Sequence, residues 1–254
     1  LRADASQHFL VRRIIVKIVD WTSYAGEYDR MAQHNPAYQE LLAHCLNTVT
    51  GWPLSTGDVV ADIGAGTGNF SIALARALPG VQVIHADFND AMSEIARQKA
   101  AGLSNWRTVS LDVQSDDWHL PVLAAIVTVH SLYTFPRPHR VIQRMAAQLR
   151  RGGFIYACDV GRVLKIRDWT WYLLKEAARA HGVPATVSLF CRGQEIRRQN
   201  QAVVRGQRCG TYWTHNLAEF RAAFEAAGIE VQSATDSLYR GYDDLIVGRK
   251  KEGK

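Results

Sequence analysis

The chain lacks the features that staple or anchor a small protein. Its four cysteines, Cys45, Cys158, Cys191 and Cys209, stand far apart with no Cys-x-x-Cys pair, which argues against a disulfide scaffold. The histidines are scattered too, and no His–Cys grouping has zinc-ligand spacing, so no metal is expected. No apolar run approaches the roughly 20 residues that cross a bilayer. The richest early stretch, Phe9 to Val19, is broken by Arg12, Arg13 and Lys17. It has neither the apolar block nor the small-residue cleavage site of a secretory signal. These absences point to a reducing cytoplasm and away from a membrane partner. There is no internal repeat and no low-complexity tract.

What is present suits a soluble globular protein. Hydrophobic residues make up 47% and charged residues 21% of 254 positions, enough for one large α/β domain or a core with a sizeable insertion. The net charge is +6, unevenly spread: residues 161–215 hold ten Lys/Arg against three acids, a local +7, which leaves −1 for the rest. An excess of this kind serves a solvated surface, an anionic substrate or a nucleic-acid backbone.

From Asp58 onward strand-like and helix-like patterns alternate, as in βαβ units around a parallel sheet. Strands are expected at Val59–Ile63, Val81–Ala86, Trp106–Leu111, Ala124–Val129 and Phe154–Cys158, with helices at Asn69–Leu78, Asp90–Ala101 and Arg140–Leu149. The alternation lapses for about fifty residues and resumes at Asn216. There Asn216 and Glu219 have capping-box spacing before Leu217, Phe220 and Phe224. Two last strands follow at Ile229–Ser233 and Leu245–Gly248. The expected division is an N-terminal helical arm (1–49), a core (50–160 and 216–254) and an insertion after the fifth strand (161–215), read as a substrate lid.

The first strand runs into Asp62-Ile63-Gly64-Ala65-Gly66-Thr67-Gly68, and a helix begins just after. A tight turn at a strand's carboxyl end needs angles that side chains resist, and a ligand comes closest where no Cβ intervenes. The helix start then presents amide groups and a partial positive charge. Such a loop could serve NAD, FAD or S-adenosylmethionine. The dinucleotide fingerprint, however, would put its third glycine on Asn69. Asp87 ends the second strand, where an acid reaches a ribose diol. Asp112 ends the third.

The Asp-x-Gly-x-Gly-x-Gly string resembles the first motif of class I S-adenosylmethionine-dependent methyltransferases, and Ile84-His85-Ala86-Asp87-Phe88-Asn89-Asp90-Ala91-Met92 is similar to the second. Tyr24-Ala25-Gly26-Glu27-Tyr28-Asp29 resembles the aromatic segment upstream of many such cores. Gln148-Leu149-Arg150-Arg151-Gly152-Gly153-Phe154 resembles their turn into the fifth strand. The likeness spans roughly 24–160 and 216–250. It implies a Rossmann-like, mostly parallel seven-stranded sheet with helices on both faces. It also implies S-adenosylmethionine as cofactor and S-adenosylhomocysteine as product. By the same resemblance Tyr28 closes over the methionine end, Asp62, Gly64, Ala65 and Gly66 form the loop, and Asp87 holds the ribose. Phe88 and Met92 flank the adenine, Asp112 and Val113 meet its edge, and His130 lines the pocket. One departure is Ala125, which stands about where many relatives carry a strand-four acid.

Methyl transfer needs alignment and water exclusion more than covalent help, so no catalytic triad is expected. His130 and Tyr133, after the fourth strand, are the candidate bases; histidine titrates near neutrality. Trp169, Tyr172, Tyr212, Trp213 and His215 are the candidate acceptor-binding residues, since rings beside arginines suit a planar acceptor. The expected reaction is methylation of oxygen or nitrogen on a small planar or aromatic metabolite. The alternatives are an RNA or protein methyltransferase that uses the basic 161–215 segment, and a noncatalytic cofactor-binding subunit. A small-molecule partner is therefore expected ahead of nucleic acid, and a homodimer is allowed.

Overall fold

The computed structural model describes residues 19–252, with the backbone alone at Leu189, Cys191 and Arg192. Most of the Phe9–Val19 stretch and the first part of the helical arm lie outside the described residues. The apolar runs become seven strands: β1 (Val59–Ile63), β2 (Gln82–Asp87), β3 (Trp106–Ser110), β4 (Leu123–Val129), β5 (Leu149–Val160), β6 (Ile229–Thr235) and β7 (Asp243–Lys250). They form one sheet ordered β3-β2-β1-β4-β5-β7-β6. β3, β2, β1, β4 and β5 run parallel, while β7 is antiparallel to both β5 and β6. This is the Rossmann-like α/β sheet expected from the sequence.

β4 is buried along its whole length, as a parallel strand covered on both faces must be. Its side chains alternate between two cores. Ile126 packs with Val141, Ile142 and Met145 of α5 (Pro138–Gln148) and with Phe220 and Phe224 of α9 (Leu217–Ala226). Ala125 and Val127 pack on the other face with Leu41, Cys45 and Val49 of α2 (Pro36–Thr50) and Leu74 of α3 (Asn69–Ala77). At α9 the capping box forms as read. Asn216 Oδ1 accepts from the Glu219 amide and Glu219 Oε2 accepts from the Asn216 amide, both at 3.0 Å.

β5 starts five residues before the expected Phe154. Gly152–Gly153 reads as a breaker, yet Leu149 already pairs with Leu123, and the chain crosses the glycines through a register shift against β4. Gly152 takes the left-handed conformation there (φ 69°), which lets the strand continue around the irregularity. After β5 come three helices, α6 (Ile166–His181), α7 (Val183–Arg192) and α8 (Gln194–Arg208).

The N-terminal helix α1 (Trp21–Gln33) bridges this segment to the core. The Val19 amide donates to Tyr212 Oη (3.2 Å), and the Asp20 amide to Gln199 Oε1 of α8 (3.1 Å). At the core end Asn89 Nδ2 donates to Thr22 Oγ1 (3.1 Å), just before α4 (Asp90–Lys99). Among the described residues no helix is long and apolar enough to cross a membrane.

Candidate cofactor and acceptor site

β1 and β4 are neighbours although β2 and β3 lie beyond β1 on the other side. Loops leaving β1 and β4 therefore diverge and open a crevice at their carboxyl ends. The glycine loop forms one wall. Gly64, Gly66 and Gly68 have φ of 72°, 55° and 81°, a region that side chains resist. A Cβ on Gly64 would come within 2.5 Å of Ser131 Cβ and one on Gly68 within 2.9 Å of Ala96 Cβ, whereas one on Gly66 would meet nothing within 4 Å. Two glycines thus pack the loop against β4 and α4, and the middle one borders open space.

Two carboxylates shape the loop from beneath. Asp62 Oδ2 accepts from the Ser71 amide at the start of α3 (3.0 Å). Burial, with the negative charge of Asp87 adding to it, pushes its pKa up to about 7 despite that hydrogen bond. Asp87, at the tip of β2, accepts from the Gly66 amide through Oδ2 and from the Asn89 amide through Oδ1, both at 2.8 Å. Burial also raises its pKa, against the pull of those amides.

The crevice brings together most of the residues singled out by sequence. Asp62, Gly64, Ala65, Gly66 and Asp87 line it from the β1 and β2 ends. Met92, Val113, His130 and Tyr28 complete the walls, and Phe88 stands 60% exposed at the rim. Asp112 is left out: it is exposed, and its Oδ1 accepts from the Gln114 amide (2.8 Å) while its neighbours Leu111 and Val113 face the crevice. The walls also include Trp21, Tyr38, Asn69 and Ser131, which the motifs did not flag. The arm's helices supply the first two only after folding back.

His130 follows β4 with φ of 52°, an uncommon conformation for a residue with a Cβ. Its Nε2 lies 2.6 Å from Asp243 Oδ2, at the start of β7. Burial alone would lower the His130 pKa, but the charge and hydrogen bond of Asp243 outweigh it and raise the pKa above the ordinary value. Sequence reading missed Asp243, 113 positions away. Its one signal was the unbroken Asp243-Asp244 pair opening an apolar strand.

Tyr133 lines neither this crevice nor the second cavity. Its ring packs edge-on against Tyr212 at 5.5 Å beside Tyr24 and Val160, and burial holds its hydroxyl pKa well above the usual range.

A second cavity of about 160 Å³ lies between α1, α6 and α8. Leu164, Ile166, Leu173 and Ile196 make it apolar, and Trp169, Asn35 and Tyr239 also line it. Tyr239 packs against Trp169 (ring centroids 4.5 Å) on one side and His130 (4.7 Å) on the other. Tyr172 sits beside this cavity, edge-on to Trp169, and the Arg240 guanidinium covers both rings.

The other expected acceptor residues are placed elsewhere. Tyr212 packs over Gly206, and Trp213 rests on His139 and Phe220. His215 is fully buried, its ring stacked 4.4 Å from Phe220. Its Nδ1 lies 2.9 Å from Asp244 Oδ2 and its Nε2 3.6 Å from Asp159 Oδ2. Burial would lower its pKa, but the hydrogen bonds and charges of Asp159 and Asp244 prevail and lift it to about 9. Arg162 adds a further cation, 2.9 Å from Asp244 Oδ1.

The strand order, with the glycine loop and the acid at the tip of β2 on either side of the crevice, is that of the Rossmann-like methyltransferase fold. Residues 60–153, a little over a third of the chain, match the family described as a methyltransferase domain, and that match supports the class I S-adenosylmethionine-dependent methyltransferase reading. A demethylmenaquinone methyltransferase of Clavibacter sepedonicus is 29% identical over 103 residues, which is 41% of this chain and 41% of that protein. The chain thus aligns with about two fifths of the length of this curated relative. Among solved structures, a Haloferax volcanii complex between the Trm112 methyltransferase activator and a methyltransferase superposes with TM-score 0.61 at 18% identity, covering 92% of this chain and 99% of that one. An S-adenosylmethionine-dependent methyltransferase of Thermotoga maritima gives 0.58 at 16%, covering 91% and 98%.

Proposed function

We propose that the protein is an enzyme that binds S-adenosylmethionine in the crevice and methylates an oxygen or nitrogen of a small planar acceptor held in the second cavity. The observation that carries this reading is the junction of the two spaces: His130 lines the first, Tyr239 lines the second, and their rings stand 4.7 Å apart. Methyl transfer needs the acceptor atom within about 3–3.5 Å of the methyl carbon, so in this reading the Tyr239 ring turns aside to let the two molecules meet.

The crevice residues fit the cofactor. In this reading Asp87 accepts from the ribose hydroxyls, Phe88 and Met92 flank the adenine, and Tyr28 covers the methionine end; what supports it is that all four line one crevice. Val113 offers an apolar edge to the base, with Asp112 outside it at the rim. The open space beside Gly66 is where a backbone can meet the ligand closely. The bound cofactor supplies a methyl group already activated on a sulfonium. The acceptor's lone pair would have to face that methyl group, and the acceptor's proton would need a group of this chain to receive it. Asp243 fixes the His130 ring through Nε2, leaving Nδ1, which has no partner among the described residues, to take that proton.

Asp87→Ala is expected to weaken S-adenosylhomocysteine binding at least tenfold by calorimetry, about 1.4 kcal/mol. Asp87 also ties down the Gly66 amide, so Gly66→Val serves as a second test: its branched side chain would occupy the open space directly. Unchanged affinity in both folded variants would sink the cofactor assignment.

A polyanion such as RNA is the second reading, favoured by one feature. Lys165, Arg167, Arg205 and Arg208 line a shallow groove outside α6 and α8, and none pairs with an acid among the described residues. If they neutralise phosphates together, binding must fall steeply with salt through counterion release. We expect labelled RNA to bind weakly at about 50 mM salt and to be released by about 200 mM. Micromolar binding that persists at the higher salt, with RNA methylation, would replace the small-molecule reading.

A further inference from the structure

The cations of the groove outside α6 and α8 continue onto a neighbouring surface. Arg167 lines that groove with Lys165, Arg205 and Arg208, and it also begins an exposed stripe along α6. Residues four apart on a helix share a face, and Arg167, Trp171 and Lys175 follow that spacing, each of them exposed. Trp171 is 73% exposed, with one cation a turn before it and another a turn after. None of Lys165, Arg167, Lys175, Arg205 and Arg208 pairs with an acid among the described residues.

The nearby acids offset little of that charge. Asp168 is the one carboxylate lining the groove, and it stands in the first turn of α6, where the helix dipole favours an acid. Glu176 is engaged by Arg179 at 2.8 Å. The next helix, α7, packs against α6 and contains no acid. Its Val183 and Val187, one turn apart, are 67% and 56% exposed.

Clustered cations attract any polyanion, and an exposed indole serves a stacked base or the headgroup region of a bilayer. The valines separate the two. They neither stack on bases nor bond to phosphates, yet they gain by entering the boundary of acyl chains. The absence of a long apolar helix excludes only a mode that crosses the bilayer. A helix lying along the surface needs an apolar edge and flanking cations.

We infer that the outer face of α6, with the basic groove on one side and α7 beside it, seats the protein on an anionic lipid surface. Trp171 enters the headgroup region, and the five cations meet the lipid phosphates. The inference is independent of the methyl-transfer reading, because it concerns where the protein sits and not what it transfers.

Co-sedimentation of the whole chain with lipid vesicles at about 150 mM salt tests it. Vesicles of equal parts phosphatidylcholine and phosphatidylglycerol should bind about tenfold or more tighter than phosphatidylcholine alone. Arg205→Gln combined with Arg208→Gln should weaken that binding about tenfold or more, since each cation near an anionic surface contributes roughly fivefold. Trp171→Ser, a change on the solvent side, should weaken it about fivefold or more. Lipid tails carrying bromine should quench tryptophan emission of the wild type on the anionic vesicles, and Trp171→Phe should lose most of that quenching. Equal binding to both vesicles, undiminished binding in the folded arginine and Trp171→Ser variants, or quenching that persists without Trp171 would each overturn the assignment. Labelled RNA held at the same salt while vesicles are not would give the face to nucleic acid instead. Self-association that disappears in Trp171→Ser, without vesicle binding, would give it to a second copy of the chain.

Discussion

Replacing His215 with alanine is expected to destabilise the protein by about 3–5 kcal/mol, as when one partner of a buried ion pair is removed. The imidazole sits at 0% exposure between Asp159 and Asp244, themselves fully buried. Without it Arg162, on the outer side of Asp244, and the more distant His130 are left to offset two interior carboxylates. Asp159 would be left with neither of its oxygens near a donor. Its burial already raises its pKa, so it would take up a proton and lose its function as a counter-charge. Urea denaturation of both proteins measures the difference.

The pH dependence gives a second readout. His215 has a folded pKa of about 9, above its ordinary value of 6.5. Its contribution is therefore complete below about pH 6.5 and is lost as pH rises through 9. Wild-type stability should decline across that window, and His215→Ala should decline less. A variant with unchanged midpoint and unchanged pH profile would show that the cluster is not a working ion network.

His130→Ala is expected to lower turnover about a hundredfold or more, the range for loss of a general base, with S-adenosylhomocysteine affinity within about twofold. A base works deprotonated, so the rate should rise with pH through the His130 pKa, which Asp243 holds above the ordinary histidine value. Asp243→Asn removes the charge and keeps most of the shape. It should move that rising limb to lower pH, a shift that simple misfolding would not produce. Normal turnover from pH 6 to 9 in His130→Ala would return the residue to a structural role. It would then be a buried ring that anchors the end of β4 to β7 through Asp243.

The sequence by itself determined the sheet, the glycine loop and the acid at the tip of β2, because each rests on local chemistry. The short, β-branched apolar run read as Ala124–Val129 suits a strand buried on both faces, and it is one, Leu123–Val129. Gly64, Gly66 and Gly68 sit at left-handed backbone positions that a short sequence window marks. The capping box at Asn216 and Glu219 closed as its spacing required. The tertiary structure decided what depends on long-range approach. Asp243 meets His130 only because β7 runs antiparallel beside β5. Asn35, from the start of α2, meets Tyr239, from the turn before β7, only because the arm folds over the crevice. Aromatic composition could not tell Trp169, beside a cavity, from Trp213 and His215, packed into the core. A ring has the same hydrophobic drive in either place, and what lies across from it is set by elements tens of residues away.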